Sequence, residues 1–220
     1  MSVRKHITTA IVAVTSIFLV VGCSSSQDTD PEFAEASNAS GPYSVNDCGV
    51  VAAPVSSENA PAGTAIDGLV IGQDAIPTVS VGPDSAPANE LISTELVPGN
   101  GASVALGDTI TVHYCGVGQA TGVLFDSSWA RGEPATFQLE PGALIEGWTQ
   151  GVPGMQIGER RLLEIPGDLG YGANPPGGIE PNETLVFVVE LVSINSSPHN
   201  QTSQKRNEHV TTEQACNRFR

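Results

Sequence analysis

The apolar positions of this chain change period several times, and those changes lay out its elements. Ile7 to Val21 is a mostly apolar run without charge. From Ile76 the pattern becomes strand-like. Thr78-Val79-Ser80-Val81 alternates, Glu90 to Val97 is a longer candidate strand, and Pro98-Gly99-Asn100-Gly101 turns the chain. Thr109 to Val117 is β-branched and alternating. It sets Ile110, Val112 and Tyr114 on one face and His113 and Cys115 on the other, because successive strand side chains point to opposite faces. Ala135 to Leu139, Arg160 to Ile165 and Thr184 to Ile194 supply further strands, and Pro166-Gly167 stops the second of these. Leu144 to Gln150 is the one segment that reads as a short helix. Several strands with a single helix predict an α+β domain: a twisted antiparallel sheet of about five strands wrapped around one short α-helix.

The other segments divide the chain. Residues 24 to 47 are rich in Ser, Asp, Glu, Asn and Ala and read as a polar linker. Residues 48 to 75 alternate short apolar runs with Pro and Gly, which leaves open an extra strand or two. The predicted layout is a signal segment over 1–22, a linker over 23–75, a folded domain over 76–195 with its core at 108–194, and a polar tail over 196–220. No internal repeat is visible.

The apolar run Ile7 to Val21 follows the basic residues Arg4, Lys5 and His6. Fifteen residues fall short of the roughly 20 that a bilayer span needs and suit an export signal. Val20-Val21-Gly22-Cys23 resembles a bacterial lipobox, which implies lipidation of Cys23 and anchoring on the extracytoplasmic face of the cell membrane. The full chain of 220 residues carries 9 Lys and Arg against 24 Asp and Glu, a net charge of −15. Such a balance argues against nucleic acid, whose phosphates are met by Lys and Arg. A self-repelling, monomeric domain is the expectation. Gly 24 and Pro 16 point to a loop-rich fold.

Four cysteines are present. With Cys23 assigned to lipid, Cys48, Cys115 and Cys216 remain. A Cys48–Cys216 bridge and free thiols are both open, and Cys115 reads as a small packed strand residue. No Cys or His spacing suggests a metal site. A hydrolase is disfavoured: there is no Gly-x-Ser-x-Gly, and of His6, His113, His199 and His209 only His113 lies in a strand, facing away from Tyr114.

Six blocks occur in one order: Gly107 to Gly116, Phe125-Asp126-Ser127-Ser128, Leu144-Ile145-Glu146-Gly147-Trp148, Gly154 to Arg160, Tyr171-Gly172-Ala173 and Thr184-Leu185-Val186-Phe187. In sequence and spacing they resemble the FKBP family of peptidyl-prolyl cis/trans isomerases. Each block alone has a plainer reading, with the aromatics as core and Asp126 as a turn cap; the register of all six favours the family. The resemblance implies an isomerase that assists exported proteins and acts on proline-containing polypeptides without a cofactor. A chaperone or scaffold that holds proline segments with little turnover is the alternative. Trp148 would floor the proline pocket, and Tyr114, Phe125 and Phe187 would wall it. Leu144 and Ile145 would close one side, with the Ile145 N–H offered to a substrate carbonyl. Asp126 would sit at the rim, Tyr171 would donate from its hydroxyl, and Ile179 would overhang the site.

Rotation about an amide faces a barrier of about 18–20 kcal/mol. Twisting breaks the resonance and reduces charge separation, so an apolar pocket favours the twisted state without nucleophile or metal. Against the family pattern, Ala135 stands where an aromatic is common, two positions before Phe137. This predicts a wider bowl with one thinner wall. Glu180 stands where Pro is common and would add negative charge near the rim.

Overall fold

A computed structural model describes residues 42–195. The expected signal segment, Cys23, Cys216 and the polar tail lie outside the described residues.

Among the described residues, eleven strands form two antiparallel sheets. The first sheet holds β1 (Tyr43–Asp47), β2 (Val55–Ser57), β3 (Thr64–Ile66), β4 (Leu69–Ile71) and β5 (Thr78–Val81), in the order β2-β1-β5-β4-β3. The second holds β6 (Ile92–Val97), β7 (Thr109–Gly118), β8 (Leu124–Ser127), β9 (Ala135–Gln138), β10 (Arg160–Ile165) and β11 (Leu185–Asn195). Its order is β6-β10-β11-β7-β8, and β9 pairs with β7 beyond the end of β8. One-turn α1 (Ser128–Arg131) and α2 (Glu146–Gly151) are the α-helices among the described residues.

The architecture corrects two expectations. There are two sheets rather than one of about five strands, and four strands fall in residues 43–71, inside the segment read as linker. The local signal there is the pair Asp67-Gly68. Ile66 pairs with Leu69, leaving a two-residue turn with φ of 44° at Asp67 and 81° at Gly68. Positive φ at both central positions is the type I′ geometry that matches strand twist, and Asp-Gly is a favoured sequence for it. Three-residue strands such as β2, β3 and β4 carry too little periodicity to show on their own.

The second sheet is buried on both faces. Ile110, Val112, Tyr114, Leu163, Ile165, Phe187 and Val189 face α2 and pack with Trp148, Val152 and Met155. Cys115, Val117, Leu162, Val186 and Val188 face the other way and pack with Leu69, Ile71, Val79 and Val81 of the first sheet. This explains why Leu185 to Val189 is a continuous apolar run instead of an alternating one. Fully burying an aliphatic side chain contributes about 1.5–3 kcal/mol, so the second interface is a substantial part of the core.

Polar groups fix the sheets in register. Buried Asn46 donates from Nδ2 to the Val79 and Gly122 carbonyls at 3.3 and 3.0 Å, and its Oδ1 accepts the Leu124 N–H at 3.2 Å. Arg160 donates to the carbonyls of Asp74 and Ala75 and pairs with Glu190. A disulfide joins Cys48, just after β1, to Cys115 on β7, with Cα atoms 5.7 Å apart. The Cys48–Cys216 pairing considered from the sequence is therefore overturned. Cys115 does face away from Tyr114, as alternation requires, and that orientation is what brings it to Cys48.

Candidate active site

The site is built where α2 crosses the face of the second sheet. A cavity of about 430 Å³ opens there. Eight of the nine residues named from the sequence line it: Tyr114, Phe125, Asp126, Leu144, Ile145, Trp148, Tyr171 and Phe187. The ninth, Ile179, is buried in the adjoining core and does not line the cavity, so its overhanging role is not seen.

Trp148 lies at the centre of the aromatic set. The rings of Tyr114, Phe137 and Phe187 stand nearly edge-on to it, with centroids 5.5, 5.6 and 5.5 Å away and interplanar angles of 88°, 76° and 89°. Edge-to-face contact sets the positive ring edge against the negative ring face and holds each ring in one orientation. Phe125 packs edge-on to Phe187 at 5.5 Å. Both rings lie against Gly116, where an added Cβ would come within 2.6 Å of Phe125 and 2.7 Å of Phe187. Glycine at 116 is thus a requirement of the aromatic wall.

Phe137 was not named as a pocket residue from the sequence. It lies on β9 two residues after Ala135 and on the same face, and it supplies an aromatic wall. Ala135 packs against the core and does not line the cavity. Glu180 likewise stays off the cavity lining; its backbone N–H is donated to Glu183.

The polar side of the bowl is one connected group. The Tyr114 hydroxyl donates to Asp126 Oδ2 at 2.5 Å, Arg131 Nη2 donates to the same hydroxyl at 2.9 Å, and Arg131 forms an ion pair with Asp126. The guanidinium also lies 5.4 Å from the Tyr114 ring centroid. Burial first, and the Asp126 hydrogen bond second, push the Tyr114 phenol up to about 12. The phenol therefore stays protonated through the neutral range. Burial and the nearby Asp126 charge also raise Tyr171, which is 40% exposed.

Sequence reasoning missed Arg131, although a local signal existed. Ser127 caps α1 by accepting the Ala130 N–H, and Gly132 ends it in the left-handed conformation. Ser before and Gly after a short segment are helix start and stop signals. That single turn sets Arg131 beside Asp126. Ser128 fixes the neighbouring strand by accepting the Tyr114 N–H at 2.8 Å.

The Ile145 N–H, at the start of α2, has no acceptor among the described residues. No cluster of metal-binding side chains occurs among the described residues either. The arrangement can seat an apolar ring against Trp148 and offer hydrogen bonds at its edge.

Residues 101–192 match the model of the family described as FKBP-type peptidyl-prolyl cis-trans isomerase. The "FK506-binding protein" of Streptomyces anulatus is 46% identical over 114 residues, which are 51% of this chain and 92% of that protein. The "Probable FK506-binding protein" of Corynebacterium glutamicum is 43% identical over 104 residues, 47% of this chain and 86% of that one. The "Peptidyl-prolyl cis-trans isomerase FPR2" of Saccharomyces cerevisiae is 50% identical over 92 residues, 41% of this chain and 68% of that one. The crystal structure of FkpA from Escherichia coli aligns with a TM-score of 0.45 at 39% identity, covering 49% of each chain. The first sheet lies before the residues that the family model matches. With its aromatic bowl and this degree of identity, the chain belongs to the family of FKBP-type peptidyl-prolyl cis-trans isomerases.

Proposed function

We propose that the cavity around Trp148 binds the proline of an Xaa-Pro bond in exported polypeptides and lowers the barrier to its rotation. The observation that carries this reading is the near-perpendicular packing of Tyr114, Phe137 and Phe187 around Trp148. It makes an apolar seat for the proline ring. In that seat the twisted amide, with less charge separation, is favoured over the planar one.

Each polar group at the edge takes a role. The Ile145 N–H donates to the substrate carbonyl that follows the proline. Asp126, held by Tyr114 and Arg131, faces the carbonyl of the twisting bond. Tyr171 offers its hydroxyl from the exposed side. No bond is made or broken, so no nucleophile is required.

Outside the domain, the reading is a monomer held on the extracytoplasmic face of the cell membrane through a lipid on Cys23. The lipobox-like Val20-Val21-Gly22-Cys23 after an apolar run supports it, as does a disulfide, which persists outside reducing compartments. Metabolic labelling with palmitate checks the anchor: label should enter the wild type and not Cys23→Ser.

The catalytic reading is tested by magnetisation-exchange NMR on short Xaa-Pro peptides. The wild type should accelerate exchange, and Trp148→Leu should reduce the acceleration at least tenfold. Equal exchange with wild type and variant would sink the proposal. Suppression of aggregation of an unfolded protein that survives in the variant would favour a holding role instead.

A further inference from the structure

β8 brings two residues to the bowl, Phe125 and Asp126, yet it has little support of its own. It pairs only with β7, through three residue pairs with a register shift between Gly116 and Val117. β7, by contrast, is paired with β11 along its whole length. An edge strand leaves a row of backbone donors and acceptors without a strand partner. Here one side chain of the first sheet stands in for that partner. Asn46 Nδ2 donates to the Gly122 carbonyl at 3.0 Å, and Asn46 Oδ1 accepts the Leu124 N–H at 3.2 Å. An acceptor and a donor flanking one residue are what a single residue of a parallel strand bonds. The other end of β8 is held too: the Ser127 hydroxyl donates to the carbonyl of Cys48, just after β1, at 2.6 Å.

Asn46 is 3% exposed, and only its bond to the Val79 carbonyl stays within the first sheet. A buried carboxamide is costly unless its groups are bonded. A residue that served the first sheet alone would spend its bonds there; two of the three bonds of Asn46 go to the start of β8 instead. Asn46 also lies before residues 101–192, which the family model matches.

We propose that Asn46 is a positioning residue for prolyl isomerisation: by fixing the start of β8 it sets where Asp126 stands at the edge of the bowl. This role rests on the one given above to Asp126. Asn46 does not line the cavity, so it acts through the short run of backbone from Leu124 to Asp126. Phe125 is wedged against Gly116 and Phe187. One partner of Asp126, Arg131, instead sits on α1, which follows β8 directly and moves with it. The Cys48–Cys115 disulfide has no such effect, because it acts on β7, which β11 already holds. A displacement of about 1 Å caused far from the chemistry can lower a rate by about 100-fold.

The exchange assay on the full chain tests this role, with urea titrations to show that each variant is folded at the assay temperature. Asn46→Ala should lower kcat/KM by roughly fivefold or more. Val81→Ala trims the packing between the sheets and leaves the Asn46 bonds in place. It should stay within about twofold of wild type even where it loses as much stability. In an Asp126→Val background, Asn46→Ala should cost at most about twofold, since residues acting through one another are not additive. In the substrate-free protein the Asp126 amide resonance should shift or broaden with Asn46→Ala and not with Val81→Ala. Asn46→Ser, too short to reach Gly122 and Leu124 together, replaces Asn46→Ala if the latter does not fold, and the same losses are expected of it. A wild type that accelerates exchange while Asn46→Ala stays within twofold of it overturns the proposal. So does a Val81→Ala loss as large as that of Asn46→Ala, or the full Asn46→Ala loss persisting beside Asp126→Val. A wild type without exchange activity overturns the reading of the cavity itself, and this role with it.

Discussion

Cys48 and Cys115 are joined by a disulfide, so the residue next to Tyr114 in β7 is tied through the opposite face to the first sheet. The link closes a loop of 67 residues. In the chain-entropy model a loop of that size restricts the unfolded state by about 4 kcal/mol. Cys48→Ser with Cys115→Ser should lower the unfolding free energy by about 2–4 kcal/mol in urea titrations. Prolyl exchange measured at low temperature should stay within twofold of wild type, because the sulfurs lie behind the strand.

Tyr114 and Asp126 hold each other at the edge of the bowl, with Arg131 bonded to both. Asp126→Val leaves the phenol and guanidinium without their shared acceptor. Hydrogen bonds to charged groups contribute about 1.5–3 kcal/mol, and the partial exposure of this pair favours the lower end. A fall in kcat/KM of roughly tenfold is expected from the exchange assay, with the melting temperature lowered by about 3–6 °C.

The same group predicts a pH profile. With its phenol at about 12, Tyr114 stays a donor across the range in which the protein can be assayed. Exchange activity should therefore show no ionisation step assignable to Tyr114 between about pH 6 and 10. A step in that range that disappears in Tyr114→Phe would contradict this.

Phe137 tests which residue makes the wall near Ala135. Phe137→Ala removes edge contacts to Trp148 at 5.6 Å and to Tyr114 at 5.8 Å. Aromatic pairs contribute about 0.5–1.5 kcal/mol each beyond their burial. The variant should lose roughly 2–3 kcal/mol of stability and at least fivefold in kcat/KM. Ala135→Gly, which leaves the ring in place, should keep its activity within twofold.

Glu164 should make stability depend on pH. Its folded value, about 7, lies above the ordinary 4.5. The folded state thus binds the extra proton between these values. The contribution is fully present below about pH 4.5 and is lost as pH rises through 7. Glu164→Gln should remove this dependence and be more stable than wild type at pH 8, by at most about 3 kcal/mol. Urea titrations of both proteins at pH 5 and pH 8 give the comparison; equal differences at the two pH values would refute it.

Local pattern determined more of the site than of the architecture. Thr109 to Val117 and Arg160 to Ile165 were legible because alternation and β-branching act within one strand. Eight pocket residues were legible because they sit in short blocks whose register reflects one fold. The Asp67-Gly68 turn was legible in principle, yet strands of three residues beside it gave no period to support it. Other features were decided only when distant segments met. Cys48 found Cys115 rather than Cys216 because β1 and β7 meet through facing sheets, and no spacing along the chain records that. Phe137, not Ala135, walls the bowl because β9 pairs with β7 at the register that sets the Phe137 ring edge-on to Trp148. Glu164 looks like an ordinary strand acid in the sequence. It became a buried, unpartnered one because the first sheet and the β5–β6 connection closed over it. Side-chain alternation is a property of the covalent backbone, whereas burial on a strand's second face depends on what else the chain brings there.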